Sequence, residues 1–569
     1  MIESALMKIC ANPWCKQSFE ITQDDLAFYD RVSPVFAGKK YLIPPPTHCP
    51  DCRQQRRLAQ CNEQNLYPGQ CGLCTKRTLT QFPAGSGIPY YCRECWHSDK
   101  CDALSYGREI NFSRPFFEQL AELKRSVPSL ALDVQGELVN SEYIHFAGSS
   151  KNCYLIMHAD FCEDCMYGYG FKYNRSCIDG FYNLHCERCY DCVDVLKCYG
   201  LVHCQDCANC SDSAFLRDCI GCRNCFLCVG LRNAEYCFNN QQMTRGEYEK
   251  KMKEYSLRSY RQCNECAAER KNLEARHHFK FFQGNNVENS SGDHLNNCKN
   301  VHASFDCENV EQGKFLYQVV TGAKDVQDIY QYGLNLQQSY ESAIVGENSY
   351  HLLFSYGGHT TSDLTYCWYA ERCKNCFGCV NISRAKHCIL NRQYSPEEYE
   401  VTAGKLAEHM KKTGEWGEFL PMSISPFGYN KTTAQQYYPL KKSDAVKSNI
   451  RWDDTELPPP KATKVIPGSR LLDNSNDVPD DILQWAIQCE VTGRPFKILP
   501  QELRFYRDHG LPPPRKSWQQ RHFDRFAQRN PRKFWTRSCA KCRKEIRTTW
   551  APERPETVYC EQCYVQAVY

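Results

Sequence analysis

Between Ser141 and Asn240 the sequence repeats with a period of three. Its sixteen cysteines, Cys153, Cys162, Cys165, Cys177, Cys186, Cys189, Cys192, Cys198, Cys204, Cys207, Cys210, Cys219, Cys222, Cys225, Cys228 and Cys237, all carry numbers divisible by three. Chance would put them in one register roughly once in ten million tries. Other residues of that register are small or apolar, among them Ile144, Ala147, Ile156, Ala159, Gly168, Val195 and Leu216. A second register holds Asn152, Asp164, Asp179, Asp191, Asp194, Asp206, Asn209, Asp212, Asp218, Asn224 and Asn233, all polar and turn-forming.

A helix repeats near 3.6 residues and an ordinary strand at 2, so neither keeps an apolar residue at every third position over this length. A solenoid of short coils does: with about 12 residues per coil and three per side, one inward residue per side stacks on its counterpart in the next coil. Coils of other multiples of three fit the register equally. The pattern returns 151 residues later, where Cys222, Cys225, Cys228 and Cys237 recur as Cys373, Cys376, Cys379 and Cys388. At that offset Cys204, Cys207, Cys210 and Cys219 become Ser355, Gly358, Thr361 and Ala370. Packing residues exchange in this way and metal ligands do not, so the solenoid thiols read as structural. The fading of the pattern at Asp325, Asp328, Gln331 and Gln337 predicts an interrupted or exposed edge.

The cysteines outside the solenoid follow another rule. Cys10, Cys15, Cys49 and Cys52 form two pairs bridged by a hydrophobic segment, and Cys71, Cys74, Cys92 and Cys95 have zinc-ribbon spacing. Four thiolates so arranged suit a tetrahedral zinc that replaces a core too small to form otherwise. The far end repeats both modules. Cys539, Cys542, Cys560 and Cys563 copy the ribbon, whereas the first site has decayed, with Cys489 kept, Gly493 or Arg494 in place of Cys15, and Ser517 and Gln520 in place of Cys49 and Cys52. About three zinc ions per chain are expected. Cys263 and Cys266 sit in a basic, helical-looking connector with only a weak metal signal.

The chain of 569 residues therefore divides into paired zinc modules (1–101), a connector with a helix from about Pro115 to Ser126 (102–140), a first solenoid with its closing helix (141–260), a basic connector (261–284), a second solenoid with its closing helix (285–412), a proline-rich connector (413–476) and a basic, degenerate copy of the zinc modules (477–569). A short helix is expected from Asp477 to Ile487. The fold class is mainly β, two short-coil β-solenoids flanked by small zinc-ribbon or treble-clef-like modules. No apolar run is long enough to span a membrane, and no hydrophobic leader precedes Pro13 and Trp14, so a cytoplasmic protein is expected. In that compartment forty cysteines are not a disulfide framework.

Net charge is +4, but Arg504 to Arg547 carries fourteen Lys and Arg against three acids, or +11, which leaves −7 for the rest. There Arg515, Lys516, Arg521, Arg525, Arg529, Arg532 and Lys533 interleave with aromatics such as Trp518. That mixture can neutralise phosphates and stack on unpaired bases. Its alternative is a degenerate core with a wet, charged face. Arg53, Arg56 and Arg57, in a helix leaving the first zinc site, are equally a phosphate-contacting set or a solvated face.

The segments Cys49-Pro50-Asp51-Cys52-Arg53, Asn224-Cys225-Phe226, Gly414-Glu415-Trp416-Gly417-Glu418-Phe419, Ser425-Pro426-Phe427-Gly428-Tyr429-Asn430 and Cys489-Glu490-Val491-Thr492-Gly493 lie along nearly the whole chain. With them the chain resembles an uncharacterised family of zinc-ribbon, cysteine-repeat proteins of candidate-phyla bacteria. The resemblance implies zinc binding and no particular activity.

No Walker loop, GxGxxG, HExxH or GxSxG motif is present. The expectation is a non-enzymatic, zinc-stabilised scaffold that contacts RNA or a ribonucleoprotein through its basic end. The alternatives are a cysteine-based metal-storage or redox protein and an enzyme with its site on a solenoid face.

Overall fold

The computed structural model describes residues 6–319, 322–331, 333 and 336–568. It is mainly β. The chain forms two compact units, each assembled from two separated stretches: Met1–Leu132 with Phe282–Asp454, and Asp133–Phe281 with Thr455–Tyr569. The first unit thus joins the N-terminal modules to the second solenoid, and the second joins the first solenoid to the C-terminal modules.

In the second unit the coils advance by twelve residues, with Met166 beside Ile178, Ile178 beside Tyr190 and Tyr190 beside Val202 in parallel register. Left-handed residues recur in steps of three: Asn152, Asp164, Asp179, Asp191, Asp194, Asp206, Asn209, Asp212, Asp218, Asn224 and Asn233 all have φ between 46° and 57°. These are the polar register of the sequence. A short side chain that bonds locally tolerates this conformation, which ordinarily costs an L-residue about 1–2 kcal/mol. Each side of a coil is therefore one inward residue, one outward residue and one corner. Corner amides then stack, as where Asn152 Nδ2 donates to Asp164 Oδ1 at 3.0 Å.

The inward thiols fill a column that is almost wholly buried. Most also donate weakly to the carbonyl two residues back and to another nine residues on, Cys165 Sγ reaching Glu163 O at 3.3 Å and Asn174 O at 3.5 Å. Cysteine serves as a small hydrophobe with a donor. Ser213 and Ser355 occupy the same position and bond the same i−2 carbonyl, at 2.7 and 2.9 Å. Both solenoids close alike. Asn240 and Asn391 bracket the N–H and carbonyl of Val229 and Val380, and capping boxes at Thr244 and Ser395 start the helices Arg245–Met252 and Pro396–Thr413.

In the first unit the coil length varies. Val310 pairs with Ala323 and Ile329 with Ser342, thirteen residues on, before twelve-residue steps resume at Tyr350 and Ser362. The expected interrupted or exposed edge is an interruption, the lengthened coil, and its Asp328 and Gln331 are buried where a helix of the N-terminal module docks. The expected helix from Asp477 is a 3-10 turn, Asp480–Gln484, followed by the strand Trp485–Gln488, which pairs with Lys464–Pro467. The helix Phe116–Ser126 forms as expected.

Candidate metal centres and the basic helices

Three four-cysteine clusters have all ligand sulfurs within 4.8 Å of one another: Cys10, Cys15, Cys49 and Cys52; Cys71, Cys74, Cys92 and Cys95; and Cys539, Cys542, Cys560 and Cys563. The Cys15–Cys49, Cys74–Cys92 and Cys542–Cys560 sulfurs are 3.7, 3.8 and 3.7 Å apart. A disulfide would need about 2.05 Å, whereas the edge of a tetrahedron with 2.3 Å metal–sulfur bonds is about 3.8 Å. Each cluster can therefore hold one metal ion with no open position.

The local backbone explains why these spacings work. The first pair of each cluster lies in a tight turn ended by a left-handed residue, Lys16, Thr75 or Arg543. The second pair aims an N–H group back at it: Cys49 N, Cys92 N and Cys560 N lie 3.3, 3.2 and 3.3 Å from Cys10, Cys71 and Cys539 Sγ. Burial pushes the Cys71 thiol up, but the amides of Cys74, Cys92 and Leu73 outweigh it and bring it to about 6. Cys539 shows the same balance, burial raising it and the amides of Cys542, Cys560 and Lys541 bringing it down to about 6. The first thiol of each ribbon cluster is thus favoured as the thiolate where a cation would sit.

The decayed site keeps the same turn without the ligands. Cys489 N donates to Arg494 O at 3.0 Å, Gly493 N donates to Cys489 O at 2.8 Å, and Gly493 is left-handed. Ser517 now caps the helix Trp518–Phe526, as Cys49 precedes the helix Pro50–Leu58.

Those two helices carry most of the arginines expected to meet phosphate, and the structure corrects that expectation. Arg53, Arg56 and Arg57 are buried. Arg53 Nε and Arg57 Nη2 grip the two oxygens of Asp328, at 3.0 and 3.2 Å, while Arg56 bridges Glu341 at 2.9 Å and Glu418 at 2.7 Å. In the other unit Arg521 and Arg525, also buried, both hold Asp179, and Arg525 Nη1 reaches Asp191 at 3.0 Å. Asp179 and Asp328 are corner residues of the coils and are 0% exposed. The reason is electrostatic: a carboxylate buried at a corner must be paired, and an arginine every fourth helix position supplies a two-pronged partner.

The remaining basic-face residues are also mostly occupied. Arg529 pairs with Asp194 at 2.8 Å, Lys516 with Asp524 at 2.7 Å, and Arg515 lies over the Tyr260 ring with Asp473 and Glu490 nearby. Trp518 stacks on Tyr167, and Arg532 lies against the Tyr182 hydroxyl. Of the expected set only Lys533 is open to solvent. Four of the cations counted in this stretch but not singled out, Lys541, Arg543, Lys544 and Arg547, are all exposed on the hairpin formed by Trp535–Ser538 and Glu545–Thr548 around the cysteine turn. Arg547 lies over the Phe534 ring and Lys533 over Trp535, with centroid distances of 4.3 and 5.4 Å.

The sequence matches no known family profile and no curated protein. Among solved structures, a Desulfovibrio desulfuricans G20 protein assigned to the acetyltransferases shares 6% identity, with a TM-score of 0.10, over 43% of this chain and 63% of that one. That likeness carries no argument about fold or function. Among the described residues no helix is long and apolar enough to cross a membrane.

Proposed function

We propose that the chain is a non-enzymatic β-solenoid scaffold, stabilised by about three zinc ions, whose C-terminal metal hairpin binds single-stranded nucleic acid, RNA foremost. The observation that carries the reading is the charge left over once internal pairs are subtracted. Lys533, Lys541, Arg543, Lys544 and Arg547 are exposed, and within 533–547 the only acid is Glu545. Two of these cations lie over aromatic rings, so bases and phosphates both have partners on one small surface. Zinc is the ion that suits four thiolates in a closed tetrahedral site, and its role there is structural. Forty cysteines with no disulfide among them favour a reducing, cytoplasmic setting.

The test is fluorescence anisotropy of a labelled single-stranded RNA against the zinc-loaded protein and the variant K541A/R543A/K544A/R547A. Removing four phosphate contacts should weaken binding at least tenfold at low salt and flatten the log–log salt slope by about 3. Unchanged binding by that variant would refute the hairpin reading.

A further inference from the structure

One outward row of the second solenoid breaks a rule that the chain keeps elsewhere. At its start the row alternates in sign from coil to coil, Lys299 pairing with Glu288 at 3.1 Å and Lys324 with Glu311 at 3.3 Å. The first solenoid does the same where Lys151 reaches Glu163 at 2.8 Å. The row ends differently, on Lys374 facing Lys386 in parallel register at the heads of the strands Lys374–Phe377 and Lys386–Ile389. Arg372 and Arg384 stand at the adjoining corner of the same two coils. All four cations are exposed. Of the four, only Arg372 has a carboxylate at ion-pair distance among the described residues, Glu371 at 3.7 Å. The neighbouring Asp363 is taken by His351 at 3.1 Å.

Two features of this patch work against the fold. Like charges directly opposite each other on adjacent strands are destabilising. Arg372 and Arg384 are also left-handed, with φ of 53° and 54°, a conformation that suits glycine or asparagine better than a long side chain. The first solenoid shows the arrangement that stability favours. At the 151 offset its corners are Gly221 and Asn233, and its row places Arg223 beside Glu235 in register. Equivalent coils therefore fold with no net charge at these positions in one solenoid and with four cations in the other. A local rule broken with no compensation inside the chain points to a function, here an external anion.

The surroundings suit a chain of phosphates. Cations on successive coils are about 4.8 Å apart. Ser362 precedes Lys374 in the row, and Thr360, one coil before Arg372, is exposed at the corner, so two hydroxyls border the cations. Tyr350, 44% exposed, precedes Ser362 in the same row and offers a ring to a base.

We propose that Arg372, Lys374, Arg384 and Lys386 form a second surface for single-stranded nucleic acid, holding its sugar–phosphate backbone without reading sequence. The choice of ligand rests on the hairpin reading, whereas the cation surface belongs to the other unit and is tested by itself.

The experiment follows fluorescence anisotropy of a labelled single-stranded RNA with full-length, zinc-loaded protein. The variant R372G/R384N/K386E gives these coils the charges and corner residues of the first solenoid. It should melt no lower than wild type. In the K541A/R543A/K544A/R547A background, residual low-salt binding should fall by a further tenfold or more when the three changes are added, and its log–log salt slope should drop by about 2. A hairpin variant with no residual binding, or residual binding that the three changes leave intact, refutes the second surface while the hairpin reading stands. Should the hairpin variant bind as wild type does, the hairpin reading falls, and the three changes made in the wild-type protein then decide this surface by the same loss. A clearly lower melting transition would give the cations a task in the fold and overturn the proposal. Binding of inorganic polyphosphate but not RNA to the hairpin variant would overturn it as well.

Discussion

The N-terminal module around Pro50–Leu58 and the C-terminal module around Trp518–Phe526 are the same device with one part exchanged. Both present a turn at the start, a helix carrying Phe28-Tyr29 or Phe505-Tyr506, and a second helix that lies on a solenoid. In the first, Cys10, Cys15, Cys49 and Cys52 form a cluster that can hold a metal ion; in the second, three of the four ligands are gone and the turn persists. What both retain is the pair of arginines four apart on the second helix and a wholly buried corner aspartate beneath them. The difference teaches that a module can lose its metal ligands and keep its seat, which the arginine–aspartate pair supplies.

The comparison breaks first at those aspartates. Asp179→Asn and Asp328→Asn each remove the carboxylate that two buried guanidinium groups share, leaving Arg521 and Arg525 to Glu502 and Asp191, and Arg53 and Arg57 to Glu341. Each should destabilise its own unit by up to about 3–5 kcal/mol, because a buried ion-pair network that loses one partner is left undercompensated. Chemical denaturation followed by limited proteolysis of each unit measures this. Similar losses in the two units sustain the comparison, and a much milder effect of Asp328→Asn would mean that the metal seats the first module after all.

A smaller effect separates the units by pH. Burial lowers the proton affinity of His203, but its bond to the Asp191 carboxylate, with Cys263 also contributing, more than reverses this and brings it up to about 10. The groups facing it are Asp191, Tyr190, Arg525, Arg270 and Cys263. A folded-state value raised above the unfolded 6.5 gives stability that is fully present below pH 6.5 and is lost as pH rises towards 10. About a fifth of the His203 side chain is exposed, so the loss should be of order 1–2 kcal/mol. It should appear in the unit of the first solenoid and vanish in His203→Phe, as read from urea midpoints between about pH 6 and 10.

Much of this architecture was legible in the sequence because coil geometry forces chemistry into fixed registers. Inward positions accept only small or apolar side chains, which exposed the solenoid, and left-handed corners select Asn and Asp, which exposed the second register. The three four-cysteine clusters followed from spacing alone. The seating arginines were misread because a cation in a helix looks the same whether it faces water or a buried carboxylate. Their partners are remote: Arg53 and Asp328 are 275 residues apart, and Arg521 and Asp179 are 342 apart. Asp179 and Asp191 were legible as turn formers, yet nothing local marked them as counter-charges. The departure near Asp325 and Asp328 is a lengthened coil, and it coincides with the seat of the Pro50–Leu58 helix rather than with an edge.

The most direct test of the seating claim is hydrogen–deuterium exchange of the full chain before and after a chelator strips metal under reducing conditions. The segments 71–95 and 535–563, which carry two of the cysteine clusters, should lose protection, since modules this small rely on their metal. The helix Trp518–Phe526, which has no metal centre of its own and is held by Asp179 and Asp191, should keep its protection unchanged. If that helix opened together with the metal-bearing segments, metal rather than the buried ion pairs would be what holds the modules on the solenoids.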